Sequence, residues 1–243
     1  MSPASASLDP ASLNRRVSLY RELQALGARF GEVNGAAAAL ALSDDTAAEA
    51  AQARTMAIAD LTALRRGGYK GWTALDWLRG QGIPIGENNT TVAAPDGTRI
   101  ARLADSEALI LGGLDGRSTL LDKVEAGWSL TSAVGAYPVP RPETNFWFGI
   151  AGRHAAAMMA KICGVDLRPR RFAEGAVAQT SVARMTAIVI RRDLGGTLAY
   201  DMLADSASAA YMWRCLVDAM GEFGGRPVGL EAFRALAREG AAR

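Results

Sequence analysis

One histidine, two cysteines and a scatter of carboxylates are the residues from which this 243-residue chain could build chemistry. A hydroxyl or thiol becomes a good nucleophile only beside a base, so a nucleophile–histidine–carboxylate arrangement would have to run through His154. His154 stands beside a helix start in an Ala/Met segment, and its simplest reading is a surface or first-turn histidine. Cys163 and Cys215 each lie in a helical pattern and read as buried thiols, ahead of a disulfide or a ligand pair. Together with His154 they match no compact zinc spacing. No GxxxxGK[ST] is present and no GxGxxG follows a strand, so no familiar glycine-rich loop offers to hold ATP, FAD or NAD. The glycine pairs 112–113, 195–196 and 224–225 read as turns or helix stops. Asp44-Asp45 lies where a helix cap is expected. Asp201, inside a strand, could be a functional carboxylate, but an outward side chain on an alternating strand explains it more cheaply.

The elements around these residues follow from caps and periodicity. Asp9 and Pro10 predict the start of a helix on which Leu13, Val17, Tyr20, Leu23 and Leu26 share a face, with Gly27 as its stop. A looser alanine-rich stretch follows. A second helix starts near Asp45-Thr46 and runs to about Met56, although its pattern could continue to Leu64. Thr73 can cap a short helix carrying Ala74, Trp77 and Leu78. Val92 to Leu103 predicts a hairpin around Pro95-Asp96-Gly97. Glu107 to Leu111 predicts a strand, and 117–126 a helix. The proline-bearing stretch 133–145 reads as an extended linker. Beyond it come a strand over Trp147 to Ile150 and a helix with Ala155, Met158, Met159 and Ile162 on one face. Two strands, about 180–192 and 197–203, flank a turn at 193–196. Ser206 is read as the cap of a long helix facing inward with Ala209, Trp213, Leu216, Val217 and Met220, and a C-terminal helix is placed over 226–243.

The two halves look alike. Gly71, Ala74, Leu78 and Gly82-Ile83 correspond to Gly152, Ala155, Met159 and Gly164-Val165, at an offset of 81 (152 − 71) rising to 82 (164 − 82). Ile100-Ala101-Arg102-Leu103 is then set against Val182-Ala183-Arg184-Met185. The expectation is an α+β fold, a pseudo-symmetric pair of strand–helix–strand–strand units preceded by N-terminal helices. Its parts are a helical segment over 1–56, a first repeat over 57–132, the linker, a second repeat over 146–225, and the last helix.

Composition narrows the class. Hydrophobic residues make up 49% of the chain, enough for one large core or for two small ones joined intimately, and the net charge is +2. Lysine occurs only at Lys70, Lys123 and Lys161, so arginine carries the positive charge. Arg168, Arg170 and Arg171 form the tightest cluster, too narrow and too poor in aromatic neighbours for a nucleic-acid face but suited to acidic groups on a partner. The start MSPASASLDP lacks a basic segment followed by an apolar run, and no stretch is long enough to span a bilayer, so a cytoplasmic, membrane-free protein is expected.

The run from Phe146-Trp147-Phe148-Gly149 through Cys163-Gly164-Val165-Asp166-Leu167-Arg168-Pro169 resembles the gamma subunit of the heterotetrameric sarcosine oxidases. So do Gly175 to Arg184, Ala187 to Arg191, Asp205-Ser206, Tyr211-Met212-Trp213 and Glu222-Phe223. The first half, in Leu19-Tyr20 through Phe30 and Ala48-Glu49 through Leu61, resembles the opening of the wider aminomethyltransferase (T-protein) family. That likeness ends the second helix near Met56 and makes Ala57 to Leu61 a strand, and it implies the T-protein-like folate-binding domain as the fold.

The resemblance also implies a role. Such complexes oxidise sarcosine or another N-methyl amine and pass a one-carbon unit to tetrahydrofolate, with FAD, FMN, NAD and folate in the larger subunits and zinc in the small one. The gamma chain is a scaffold beside larger and smaller subunits, with no cofactor and no catalytic residue of its own. Where the T-protein family places its catalytic aspartate, this chain has Ile100-Ala101-Arg102-Leu103, and the family's pterin-holding segment has no clear match near Asp193 to Thr197. Gln179 and Arg184 are the candidates for any cofactor contact. Trp147, Phe148, Arg168, Arg170 and Arg171 are the candidates for a subunit interface.

Overall fold

Residues 7–241 are described by the computed structural model; the opening residues read for a leader and the last two of the expected C-terminal helix lie outside it. Asp9 caps as expected, its side chain accepting from the Ala11 N–H at 2.9 Å, but only a 3-10 turn over Pro10–Ser12 follows. The continuous helix to Leu26 does not form. In its place stand strand β1 (Arg15–Arg16), helix α1 (Tyr20–Ala25), and strands β2 (Arg29–Val33) and β3 (Ala36–Ala41). The segment expected to be helical over 1–56 therefore carries a three-stranded sheet of order β1-β3-β2. Asn34 and Gly35, at φ 51° and 72°, supply the paired left-handed conformations of a tight hairpin turn. The alanines of β3 are all buried, so tertiary pairing overrides alanine's helix propensity. Helix α2 (Thr46–Thr55) forms where its cap placed it, with Asp45 accepting from the Ala48 N–H.

The rest of the chain makes two larger sheets. Strand β4 (Ala57–Asp60), strand β5 (Arg66–Lys70), helix α3 (Ala74–Gly80), strands β6 (Thr90–Ala93), β7 (Arg99–Ala104) and β8 (Glu107–Leu111), and helix α4 (Thr119–Gly127) come first. Strand β9 (Tyr137–Pro138) and a single helical turn, α5 (Arg141–Thr144), occupy the stretch read as an extended linker. Then follow strand β10 (Asn145–Ala151), helix α6 (Ala155–Met159), strands β11 (Val177–Val182), β12 (Met185–Arg191) and β13 (Ala199–Asp205), helix α7 (Ala209–Gly221), strand β14 (Arg226–Pro227) and helix α8 (Leu230–Ala241). The sheet orders are β6-β7-β8-β5-β9 and β11-β12-β13-β10-β4-β14.

The internal repeat is explicit in this topology, since β5, β8, β7 and β6 play the parts of β10, β13, β12 and β11. Gly71 and Gly152 both adopt positive φ, 137° and 125°. Their N–H groups donate to Ser106 and Leu198, each the residue before the returning strand. Each unit also borrows its last strand. Residues 57 and 58 of β4, which precede the first unit, pair with 151 and 150 of β10. Residues 137 and 138 of β9, which precede the second, pair with 70 and 69 of β5. β4 was expected in the first repeat and belongs to the other sheet.

Four further expectations change. The strand placed over 180–192 is broken by a hairpin at Ala183-Arg184, so β12, not Val182 to Met185, is the counterpart of Ile100 to Leu103. The Thr73 hydroxyl donates to the Val134 carbonyl instead of capping α3. Asp205, not Ser206, makes the side-chain bond at the approach to α7. The last segment opens with the two residues of β14 before its helix begins.

Trp147 and Phe148, read as interface residues, are wholly buried along with Phe146. Phe148 stacks on Phe146 at 4.1 Å between centroids and meets Trp213 edge-on at 5.3 Å. Their sheet is covered on both faces, so a continuous apolar run is the core signature here.

Candidate functional site

The two units touch where the edges of β6 and β11 exchange backbone bonds: the Thr91 N–H donates to Gly175, and the Val177 N–H to Asn89, each at 2.8 Å. Beside this seam lies a cleft of about 380 Å³, lined among others by Glu107, Arg141, Asn145, Gln179 and Asp205. Gln179, a predicted cofactor contact, does reach it. Its amide donates to the Leu103 carbonyl at 2.6 Å and to the Asn89 side chain at 3.0 Å, so it latches β11 to the first unit. Arg141, held by the turn α5, pairs with Glu107 and donates to the Asn145 side chain at 3.2 Å. Lys70 lies 3.1 Å from the other Glu107 oxygen. Glu107, Arg141, Asn145 and Gln179 thus have protein partners, with the buried Arg141 Nε left unpaired among the described residues, and a ligand reaching their bonded atoms would have to displace these bonds.

Two groups of charged side chains are buried in the fold. The Asp201 carboxylate, expected to point outward, is buried; it accepts from the Trp147 indole at 2.9 Å and pairs with Arg192 at 3.0 Å. Arg192 lies over the Trp147 ring, 5.5 Å from its centroid. Burial pulls its guanidinium below the ordinary arginine range, while Asp201 opposes that shift. Asp60, at the end of β4, is also buried, and burial pushes its carboxyl up to about 6 despite bonds from Thr62. Arg66 donates to the carbonyls of Thr62, Leu64, Pro142 and Asn145, tying the β4–β5 connection to α5 and β10. Burial lowers its pKa to about 10. Asp60, Arg66 and Arg192 were not singled out in the sequence, where each is one more charged residue beside a strand.

The other predicted residues lie apart from the cleft. His154 is half-buried at the start of α6, stacked on Phe223, and accepts from the Arg153 side chain at 3.1 Å. Cys163 is buried and Cys215 half-buried; both are free thiols, and both line a second cavity of about 680 Å³ with Arg184 and Tyr211. Arg168 is held by a fork of two bonds to Asp166, and Arg170 and Arg171 are exposed. Among the described residues, no group of three or more His, Cys, Asp or Glu side chains is placed to hold a metal. No described helix is long and apolar enough to cross a membrane.

The position compared with the family's aspartate is strand β7. Ile100, Ala101 and Leu103 are buried, and Arg102 pairs with Asp105 at 2.7 Å. At the other compared position, Asp193 is held by a fork of two bonds from Arg191.

The model of the GCVT N-terminal domain matches residues 93–243. Among solved structures, the chain is similar to the glycine cleavage system aminomethyltransferase T from Bartonella henselae, with a TM-score of 0.71 and 14% identity. That likeness covers 92% of this chain and 62% of the other, so the chain spans about three-fifths of that protein's length. It is also similar to a chain of the heterotetrameric sarcosine oxidase from Corynebacterium sp. U-96, in complex with pyrrole 2-carboxylate. There the TM-score is 0.59 and the identity 19%, over 73% of this chain and 92% of that one. No curated protein sequence matches. Identities this low establish the shared T-protein-like fold.

Proposed function

This chain belongs to the GCVT N-terminal domain family, and from that premise we propose that it is a gamma-type, non-catalytic subunit of a flavin-dependent complex. That complex would oxidise an N-methyl amine such as sarcosine and pass one-carbon units to tetrahydrofolate. The observation that carries the reading is the self-pairing of the inter-unit cleft, where Glu107, Arg141, Asn145 and Gln179 are bound to protein partners. A catalytic acid or base must instead present a proton site to substrate. The packing of β7 supports it, because side chains at the compared position are committed to the core and to Asp105. The likeness to most of one chain of a heterotetrameric sarcosine oxidase points the same way. In this reading FAD, FMN, NAD, tetrahydrofolate and zinc sit in the larger and smaller partner subunits.

The test is assembly. Co-expressed with FAD-type and folate-type large subunits encoded beside it, the chain should purify in a one-to-one complex, measured by size exclusion with light scattering. A stable monomer that ignores those neighbours overturns the reading. In the complex, His154→Ala should change activity by less than about threefold, since losing a true general base costs 10²-fold or more.

A second reading, a free-standing folate-binding protein or aminomethyltransferase-like demethylase, is favoured by the cleft's remaining space of about 380 Å³ beside Thr144 and Asn145. Calorimetry separates the two. The subunit reading expects tetrahydrofolate to bind the isolated chain no tighter than about millimolar, and a low-micromolar constant would establish the second.

A further inference from the structure

The hairpin between β11 and β12 turns at Ala183 (φ 46°) and Arg184 (φ 68°), two left-handed residues where Asn-Gly is the ordinary choice. Side chains with a Cβ resist this conformation, and it persists only where neighbours over-determine it. They do so here. The Ala183 N–H donates to Ile162 at 2.8 Å, the Tyr211 hydroxyl donates to the Ala183 carbonyl at 3.0 Å, and Cys163 bridges Val182. The α6 end and α7 thereby clamp an unfavourable turn, and the clamp fixes Arg184 on the rim of the cavity that holds both thiols.

That cavity does not end there. Ala160, Cys163 and Gly164 also line a neighbouring one of about 840 Å³, bounded by Arg153, Arg168 and Arg170. The two adjoin at these three shared residues, just beyond the end of α6, and together make a groove. Its lining includes the small residues Ala156, Ala157, Ala160 and Gly164 beside the apolar Val165, Leu167, Pro169 and Leu198, and a Cβ built on Gly164 meets nothing within 4 Å. The small residues leave room for a backbone. The rim is positive. Arg153, Lys161, Arg168, Arg170 and Arg184 line it with two carboxylates, Asp166 and Asp218, and a third, Glu222, lies against Lys161. Arg168 is satisfied by Asp166 and Lys161 by Glu222, whereas Arg153, Arg170 and Arg184 form no ion pair among the described residues.

We infer that this groove binds an extended, acidic polypeptide segment of a partner chain, its backbone over the small Ala and Gly residues and its carboxylates on Arg153, Arg170 and Arg184. The partner rests on the subunit reading; the groove's chemistry does not. Guanidinium groups suit this use because their planar fork matches a carboxylate and is weakly hydrated. A polypeptide is favoured over a nucleic acid because the groove is lined by one aromatic side chain, Tyr211, whose hydroxyl is tied to the Ala183 carbonyl, where a strand of bases would need a row of stacking partners.

The test uses the full chain and the variant Arg170→Glu/Arg184→Glu, both exposed positions. The control is Arg79→Glu/Lys123→Glu on α3 and α4, and circular dichroism verifies that both variants fold. The probe is a fluorescein-labelled twelve-residue peptide of alternating Glu and Ala, read by anisotropy at low and at physiological salt. The wild type and control should bind it, the groove variant at least about tenfold more weakly, with the difference shrinking as salt rises. Equal binding by all three, or none by the wild type, overturns the inference. So does single-stranded RNA that binds more tightly than the peptide and is lost with the same variant. A second arm repeats the co-expression. Peptide binding without any complex supports the groove and sinks the subunit reading. A complex formed equally well by the groove variant overturns the groove while the subunit reading stands.

Discussion

In the second unit, the borrowed strand β4 is covered on its outer edge by β14, and the N–H groups of Arg226 and of Val228, just after that strand, donate to the carbonyls of Met56 and Ile58. The first unit repeats this register with β9, and there the equivalent carbonyls belong to Ala136 and Pro138. Among the described residues, no strand is added at that edge. The Trp128 indole takes the Ala136 carbonyl at 2.8 Å, and Pro138 has no N–H to offer. An edge stopped by proline and by a side-chain donor resists further pairing. One backbone scheme therefore serves twice, extended in one unit and closed in the other. The difference lies in a few side chains, and substitutions can weigh it.

The largest asymmetry should lie in the buried charges. Asp201→Ala strands Arg192, 5% exposed, in the second unit's interior, and should cost about 3–5 kcal/mol in urea unfolding. Glu107→Ala in the first unit leaves Arg141 its bond to Asn145 and some contact with solvent, and should cost about 1–2 kcal/mol. Equal losses would break the comparison. Next come the paired glycines. A Cβ at Gly152 would collide with the Thr55–Met56 backbone between α2 and β4, and one at Gly71 with the Gly135 carbonyl in a loop. Gly152→Ala should destabilise by about 3 kcal/mol and Gly71→Ala by about 1 kcal/mol less, because the loop can move aside.

The borrowed strands differ in charge as well. β4 ends in Asp60, and the same step beyond β9 is Pro140. With its folded pKa raised from 3.8 to about 6, Asp60 contributes most below pH 4, and that contribution is lost as pH rises through 6. Asp60→Asn should therefore raise stability by about 2 kcal/mol at pH 7.5, with the gain vanishing toward pH 4 in parallel thermal melts. The smallest effect concerns the closed edge. Pro138→Ala restores the missing donor and should shift monomer stability by less than about 0.5 kcal/mol. It should also introduce concentration-dependent self-association in light scattering. A variant that stays monomeric would place the closure in Trp128 alone.

What could be read from the residues follows how local the signals are. The Gly71/Gly152 correspondence, the Asp45 cap and the hairpin at Asp96-Gly97 were legible because each depends on a few adjacent residues. The three-stranded N-terminal sheet was not, since Leu13, Val17 and Leu23 are spaced as on a helix and the Asn34-Gly35 turn stands directly before an alanine run that reads as helical. The Ala183-Arg184 turn carries no turn residues at all, so an unbroken strand was the natural expectation. Of the sites, Gln179 lies beside the cleft, with its amide taken up by Leu103 and Asn89. Trp147 and Phe148 were misplaced because a strand buried on both faces shows no alternation to separate core from surface. Asp60 and Arg192 gain their character from burial alone, which no spacing reports.

The reciprocal loan of β4 and β9 bears on how the molecule comes into being. β4 emerges early but finds its partner β10 only after the whole first unit has been made, and β14 and α8 come later still. Neither sheet can be finished alone, so the units should gain structure in one concerted, slow event dominated by contacts distant in sequence. Until the second unit emerges from the ribosome, the apolar strand Ala57–Asp60 is an unpaired edge, the kind of segment that chaperones hold.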